Sequence, residues 1–217
     1  MFLLIAVIVS AWLLWRAFQP RGPRLFSQRK HWSLLLARPM ADAMQVEGFY
    51  SPACDHFTEQ AQKIMRTALL HQAGIRSNCN DEAVRSHFRA TLEQQWYRLD
   101  LQALTADDEP RAAMAFACAR VAFLVRCALL MRWIEPDLAW LVLLLNAQRA
   151  QDCFDSWEDF GTAYKSGREQ WVAAFRVDSL GKAFPEQHLR QLLAPGSGAW
   201  ADISWHTPAA LNPVLSR

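Results

Sequence analysis

Ala112 to Ile134 reads AAMAFACARVAFLVRCALLMRWI, apolar on every side of a helix except at Arg120, Arg126 and Arg132. A helix that is hydrophobic all round is buried, either in a protein core or in a bilayer. Each arginine near the bilayer centre costs roughly 2.5–3.5 kcal/mol on insertion scales, so three of them direct this segment to a protein core. Asp108 is placed to cap the helix, with Pro110 in its first turn. The following apolar run, Leu138 to Leu145 behind Pro136, is too short to span a membrane. Together the two read as a central buried helical hairpin.

Working outward, Ser51 to Gly74 carries Phe57, Ala61, Ile64, Met65, Ala68 and Leu69 at helical spacing and stops at glycine. A second helix begins at Asn80 or Asp81 and repeats Val84, Phe88, Leu92, Trp96 and Leu99 on one face. Upstream, a helix over Leu25–Leu36 is ended by Arg38-Pro39, because the residue before proline avoids helical backbone. On the other side of the hairpin, Asp155 to Phe175 aligns Trp157, Phe160, Tyr164, Gly167, Trp171 and Ala174 in one stripe, opened by a Ser156–Asp159 capping box. Gly161 and Gly167 each cost roughly 1 kcal/mol in a helix relative to alanine, which predicts a neighbour in close approach. Pro185 to Leu193 is a last short helix, and Trp200, Ile203 and Trp205 are positioned to dock an irregular tail.

No strand alternation and no internal repeat is found. The class is all-α: a single helical domain around the buried hairpin, preceded by one N-terminal transmembrane helix. The divisions are 1–18 anchor, 19–50 basic juxtamembrane linker and first packing helix, 51–205 helical domain and 206–217 irregular tail.

The anchor is Met1 to Phe18, MFLLIAVIVSAWLLWRAF, without charge before Arg16. Eighteen helical residues cover roughly 27 Å, close to the roughly 30 Å hydrocarbon core. It lacks the basic start and small-residue cleavage site of a signal peptide, and Trp12, Trp15 and Phe18 suit the interfacial belt. Arg16, Arg21, Arg24, Arg29, Lys30 and Arg38 all precede the first carboxylate, Asp42. Positive charge resists translocation, so the expected topology is single-pass in a bacterial inner membrane with the domain cytoplasmic. Those six residues also account for the positive balance of 23 Lys+Arg against 21 Asp+Glu. The remainder is slightly acidic, without the basic stripe of a nucleic-acid binder.

Five cysteines, Cys54, Cys79, Cys118, Cys127 and Cys153, form no Cys-x-x-Cys pair and suit a reducing compartment. Cys54-Asp55-His56, with His71 and Cys79, has side chains of the metal-binding type at spacings unlike those of zinc sites. Phosphate-binding loops, His-Glu-x-x-His and Gly-x-Ser-x-Gly are absent, so neither cofactor nor metal is expected. The polar residues that remain are Arg120 and Arg126 on the apolar helix and Asp155, Glu158, Asp159, Tyr164, Arg168 and Trp171 later. A buried guanidinium needs carboxylate or backbone partners. Two arrangements meet that need: structural pairing, or a cleft that receives an anionic ligand or a partner's acidic segment.

Ala119–Trp140 (ARVAFLVRCALLMRWIEPDLAW), Ser156–Trp171 (SWEDFGTAYKSGREQW), Leu69–Ile75 (LLHQAGI) and Ala199–Trp205 (AWADISW) together resemble a bacterial family catalogued as domain of unknown function 1266. The resemblance implies a helical domain and brings no catalytic residues. The expected role is a membrane-anchored protein-binding domain, of adaptor or inhibitor kind. The alternatives are a membrane-surface enzyme of hydrolase type using the arginine and carboxylate residues, and an oligomeric assembly factor.

Overall fold

The computed structural model describes residues 22–94, 104–175, 183–196 and 200–207. The expected anchor, Trp96 and Leu99, and the tail from 208 onward lie outside the described residues. Those described form eight α-helices and one 3-10 turn, with no strand among them: α1 Gly22–Leu35, α2 Arg38–Met44, α3 Glu59–Gln72, α4 Asp81–Gln94, α5 Pro110–Leu130, α6 Pro136–Cys153, α7 Trp157–Phe175, α8 Glu186–Leu192 and the turn Trp200–Asp202.

The helix α5 is the axis of the domain. It packs chiefly on α7 and α6, with α1, α2 and α3 completing its surroundings. By length and composition it passes as a membrane span, yet 83% of that window is buried inside the domain. The hairpin with α6 is tied where the Asn146 side-chain amide donates to the Cys118 carbonyl at 2.8 Å, both residues fully buried.

Several ends differ from the sequence reading. Glu109, not Asp108, caps α5, accepting from the Ala112 N–H at 2.9 Å, because the Asp108 carboxylate is held by the N–H and hydroxyl of Thr105. The chain from Ser51 to Thr58 is loop, and α3 starts only after Thr58, whose hydroxyl accepts from the Ala61 N–H. Ile64, expected on its apolar face, is 68% exposed. Pro39 does not end a helix: α1 has already stopped at Leu35, and Pro39 sits in the first turn of α2, where its missing N–H costs nothing. Arg132 lies beyond the apolar helix, at φ 58°, where the Trp133 N–H donates back to the Ala128 carbonyl at 2.9 Å. That is the left-handed closing position of a helix, occupied here by an exposed arginine instead of glycine.

The stripe on α7 is core at Trp157, Phe160, Tyr164 and Gly167, and reaches the surface at Ala174. Its glycines make the contacts their helix cost foretold. A Cβ on Gly167 would strike the Ala112 backbone carbonyl of α5, and one on Gly161 would strike Leu189 of α8 and Trp200.

Four tryptophans close the domain. Trp157 stacks on Trp200 at 5.3 Å and 8°, while Trp205 stands edge-on to both Trp32 and Trp157 at 5.1 and 4.7 Å. All four are buried, and each indole N–H reaches a backbone carbonyl: Trp32 to Ser204, Trp157 to Ile203, Trp200 to Leu35 and Trp205 to Phe154. Segment 200–207 is thereby strapped across α1, the end of α6 and the start of α7. The buried indoles satisfy their single donors while contributing large apolar area.

Candidate functional site

The eight polar residues singled out from sequence are strung along α5 instead of converging. At its start, Arg111 pairs with both oxygens of Asp159 at 2.8 and 2.5 Å, and Asp159 also accepts from the Asp155 N–H at 2.9 Å. Asp159 is thus a cap and an ion-pair partner in one. The Arg111 guanidinium holds its carboxyl below the usual range, and Arg111 is raised in return. Asp155 and Glu158 beside it are exposed.

Nine residues on, about 13 Å along the helix at the standard rise, half-buried Arg120 donates to the Gln72 carbonyl at 2.7 Å and lies 4.7 Å over the Trp171 ring. Tyr164 is enclosed between Phe116 and Phe184, and Arg168 is buried. Arg120 and Trp171 therefore meet, as do Asp155 and Asp159, but the two pairs are separate.

Arg126, a further six residues along, has the most unusual environment. It is fully buried, and the loop before α3 wraps it with backbone oxygen: Nε donates to Phe49 at 2.9 Å, and Nη2 to Ser51 at 2.7 Å, Cys54 at 2.9 Å and Gly48 at 3.4 Å. Its Nη1 has no hydrogen-bond partner, and the guanidinium carbon lies 5.6 Å over the Trp140 ring. Desolvation pulls its pKa below the usual arginine value. The Lys30 ammonium sits 4.4 Å over the same ring, lowered chiefly by burial and further by Arg126, while Asp137 opposes the shift. Gly48 permits the wrap. Its φ is +71°, and a Cβ there would come within 2.8 Å of the Cys54 sulfur.

Sequence reasoning required backbone or carboxylate partners for the guanidinium without naming them. Main-chain carbonyls leave no signature in residue type, and Arg111 as the partner of Asp159 likewise had no local signal. Gln72 was also missed: its buried side-chain nitrogen is unpartnered while its carbonyl takes Arg120.

Among the described residues no three His, Cys, Asp or Glu side chains group to hold a metal ion. At the Cys54-Asp55-His56 segment, Asp55 and His56 pair with each other at 2.5 Å at the exposed surface, and that hydrogen bond lowers the Asp55 carboxyl. The Cys54 thiol donates to the His56 carbonyl at 3.4 Å.

An all-helical domain organised on one buried arginine-bearing helix is the class that this geometry defines. Within it, residues 37–205 match the family model described as protein of unknown function (DUF1266), and the chain belongs to that family. No curated protein and no solved structure matches it. The matched span ends at Trp205 but begins after α1, although Trp32, Leu34 and Leu35 of that helix are fully buried.

Proposed function

We propose that this chain is a single-pass protein of a bacterial inner membrane whose helical domain binds other proteins on the cytoplasmic side. The observation that carries this reading is the sequence Met1–Phe18, apolar and uncharged before Arg16, with six basic residues from Arg16 to Arg38 ahead of the first carboxylate. Juxtamembrane basic residues contribute roughly 1 kcal/mol each at an anionic surface. Further support comes from α1. It is described from Gly22, four residues after Phe18, and packs its far half into the domain core, so an anchor ending at Phe18 would hold the domain against the bilayer. A binding role accords with polar side chains spent on structural pairing: Arg111 with Asp159, Arg120 with Gln72, Arg126 with four carbonyls.

Fractionation with protease protection tests the location. The full chain is expected to sediment with membranes and resist alkaline carbonate, with its domain cleaved only after spheroplasts are lysed. Recovery in the soluble fraction, or cleavage in intact spheroplasts, overturns it. Crosslinking in native membranes before detergent extraction tests the role: a stoichiometric partner is expected. Repeated recovery of the protein alone overturns a binding role, and adducts of the chain with itself favour the assembly-factor alternative.

A further inference from the structure

Among the described residues, the large apolar side chains that stand exposed are Ile64 on α3 and Leu141 and Leu145 on α6. A single exposed apolar residue such as Ile64 calls for no explanation. The two leucines differ because they are one turn apart. Asp137, Leu141, Leu145 and Arg149 are all exposed and recur every four residues, so they form one file along the outer side of α6. Leu138 is half-buried beside that file. The face is apolar in its middle and charged at both ends.

What lies against α6 indicates what this face meets. Helix α1 packs on α6, and its Lys30 places Nζ 4.4 Å over the ring of Trp140, the residue next to Leu141. Asp137, one turn before Leu141, is within electrostatic reach of the same ammonium, so Lys30 offsets the acidic end of the file. The chain length sets the reach. From Phe18 to Gly22 are four steps of at most about 3.6 Å, and the helix from Gly22 to Lys30 adds about 12 Å. Lys30 is thus within about 26 Å of the last anchor residue, whereas a domain of this size is about 40 Å across, so the tether concentrates the faces beside Lys30 near the lipid. Two leucines are too few to hold a free domain on a bilayer, but a tether makes the contact intramolecular, at an effective concentration on the order of millimolar. A shallow apolar patch flanked by basic residues suits the boundary between anionic headgroups and acyl chains. The same patch is far smaller than the about 800 Å² per partner that a stable protein interface buries.

We propose that the outer face of α6 is the face that the domain lays on the bilayer, with Leu141 and Leu145 entering the headgroup–acyl boundary and Lys30 among the headgroups. It rests on Met1–Phe18 spanning the membrane. The test is photo-crosslinking of the full chain, with a benzophenone amino acid in place of Leu141, Leu145 or, for comparison, Ile64. Each chain is reconstituted in vesicles of phosphatidylethanolamine and phosphatidylglycerol, floated on a density gradient and irradiated, and the adducts are identified by mass spectrometry. Lipid adducts at the Leu141 and Leu145 positions are expected to exceed those at Ile64 by about tenfold, because only a face set into the boundary keeps acyl chains beside the probe. Leu141→Glu is expected to cut the lipid yield from the Leu145 position several-fold. All three positions are exposed, and helical circular dichroism identifies any chain that unfolds, in which case the other α6 position reports. Lipid yields on α6 no higher than at Ile64, or adducts there to another part of the chain or to a second copy in place of lipid, overturn the proposal. A chain that fails to float overturns the anchor and this proposal together, whereas one that floats without lipid adducts on α6 overturns this proposal only.

Discussion

Arg126 donates from Nε to the carbonyl of Phe49, 77 positions earlier in the chain, and the same guanidinium donates to three more carbonyls around it, those of Gly48, Ser51 and Cys54. One side chain thus folds residues 48–54 onto α5. Removing it strands the buried Phe49 carbonyl, which costs about 1–3 kcal/mol, and releases three part-buried ones. Arg126→Ala is expected to lower unfolding stability by about 3 kcal/mol or more, read from urea denaturation followed by helical circular dichroism. Arg126→Lys is expected to recover little, since an ammonium lacks the planar fork that reaches several acceptors at once. Full rescue by lysine would show that charge alone matters.

The close approach at Gly167 has a different physical origin and a sharper test. An added methyl there meets the Ala112 carbonyl of α5, which is backbone and cannot rotate away, whereas at Gly161 it meets the ends of the Leu189 and Trp200 side chains. Overpacking typically costs about 1–3 kcal/mol. Gly167→Ala is expected to destabilise at the upper end of that range or beyond it, and Gly161→Ala by less. The reverse order of thermal midpoints would refute the assignment of α5 and α7 as the tightest helix pair.

The strap makes Trp200 a structural anchor as well as an apolar one. Trp200→Phe keeps a ring beside Trp157 but leaves the buried Leu35 carbonyl unpaired, and about 1–2 kcal/mol should be lost. Trp200→Ala also opens a cavity, bringing the cost to about 3–5 kcal/mol. Near-ultraviolet circular dichroism, sensitive to the stacked Trp157, is expected to fall in the alanine variant well before helical signal does.

The Arg111–Asp159 pair has a pH signature. Asp159 is held below the ordinary carboxyl value by Arg111, so the unfolded chain takes up a proton first as pH falls. The stabilisation is therefore fully present above the ordinary aspartate value, about 3.9, and is lost as pH drops through the lower folded-state value. Asp159→Asn is expected to destabilise at neutral pH and to flatten the acid limb of a stability–pH curve. An unchanged acid limb would mean that the pair is not formed in solution.

Thiol reactivity reports the core directly. Cys118 and Cys127 are fully buried within α5, and burial pushes the Cys127 thiol well above its usual value, whereas Cys54, Cys79 and Cys153 are half-buried. The thiolate is the reactive form. Native protein is expected to titrate three thiols with a disulfide reagent and all five only in denaturant. Fast modification of a fourth thiol in the native state would contradict a closed core.

Much of the domain was legible because burial leaves periodic traces. The all-round apolarity of Ala112–Leu130 foretold the central helix, the stripe from Trp157 to Ala174 a core face that holds as far as Gly167, and Gly161 and Gly167 close contacts. These are properties of a helix and its own nearest faces, written within about twenty residues. The cap of α5 was misplaced by one residue because Asp108 and Glu109 are both competent and only the competing hydroxyl of Thr105 separates them. Sequence by itself determined that the chain is helical, that one arginine-studded apolar helix must be enclosed, and that tryptophans near the C-terminus would dock. Tertiary structure alone decided that Arg126 is met by main-chain carbonyls, that Asp159 pairs with Arg111, and that Trp32 joins Trp157, Trp200 and Trp205 over a polar cavity. A carbonyl belongs to every residue type, and partners tens of residues apart are chosen by how the helices cross, which no local pattern encodes.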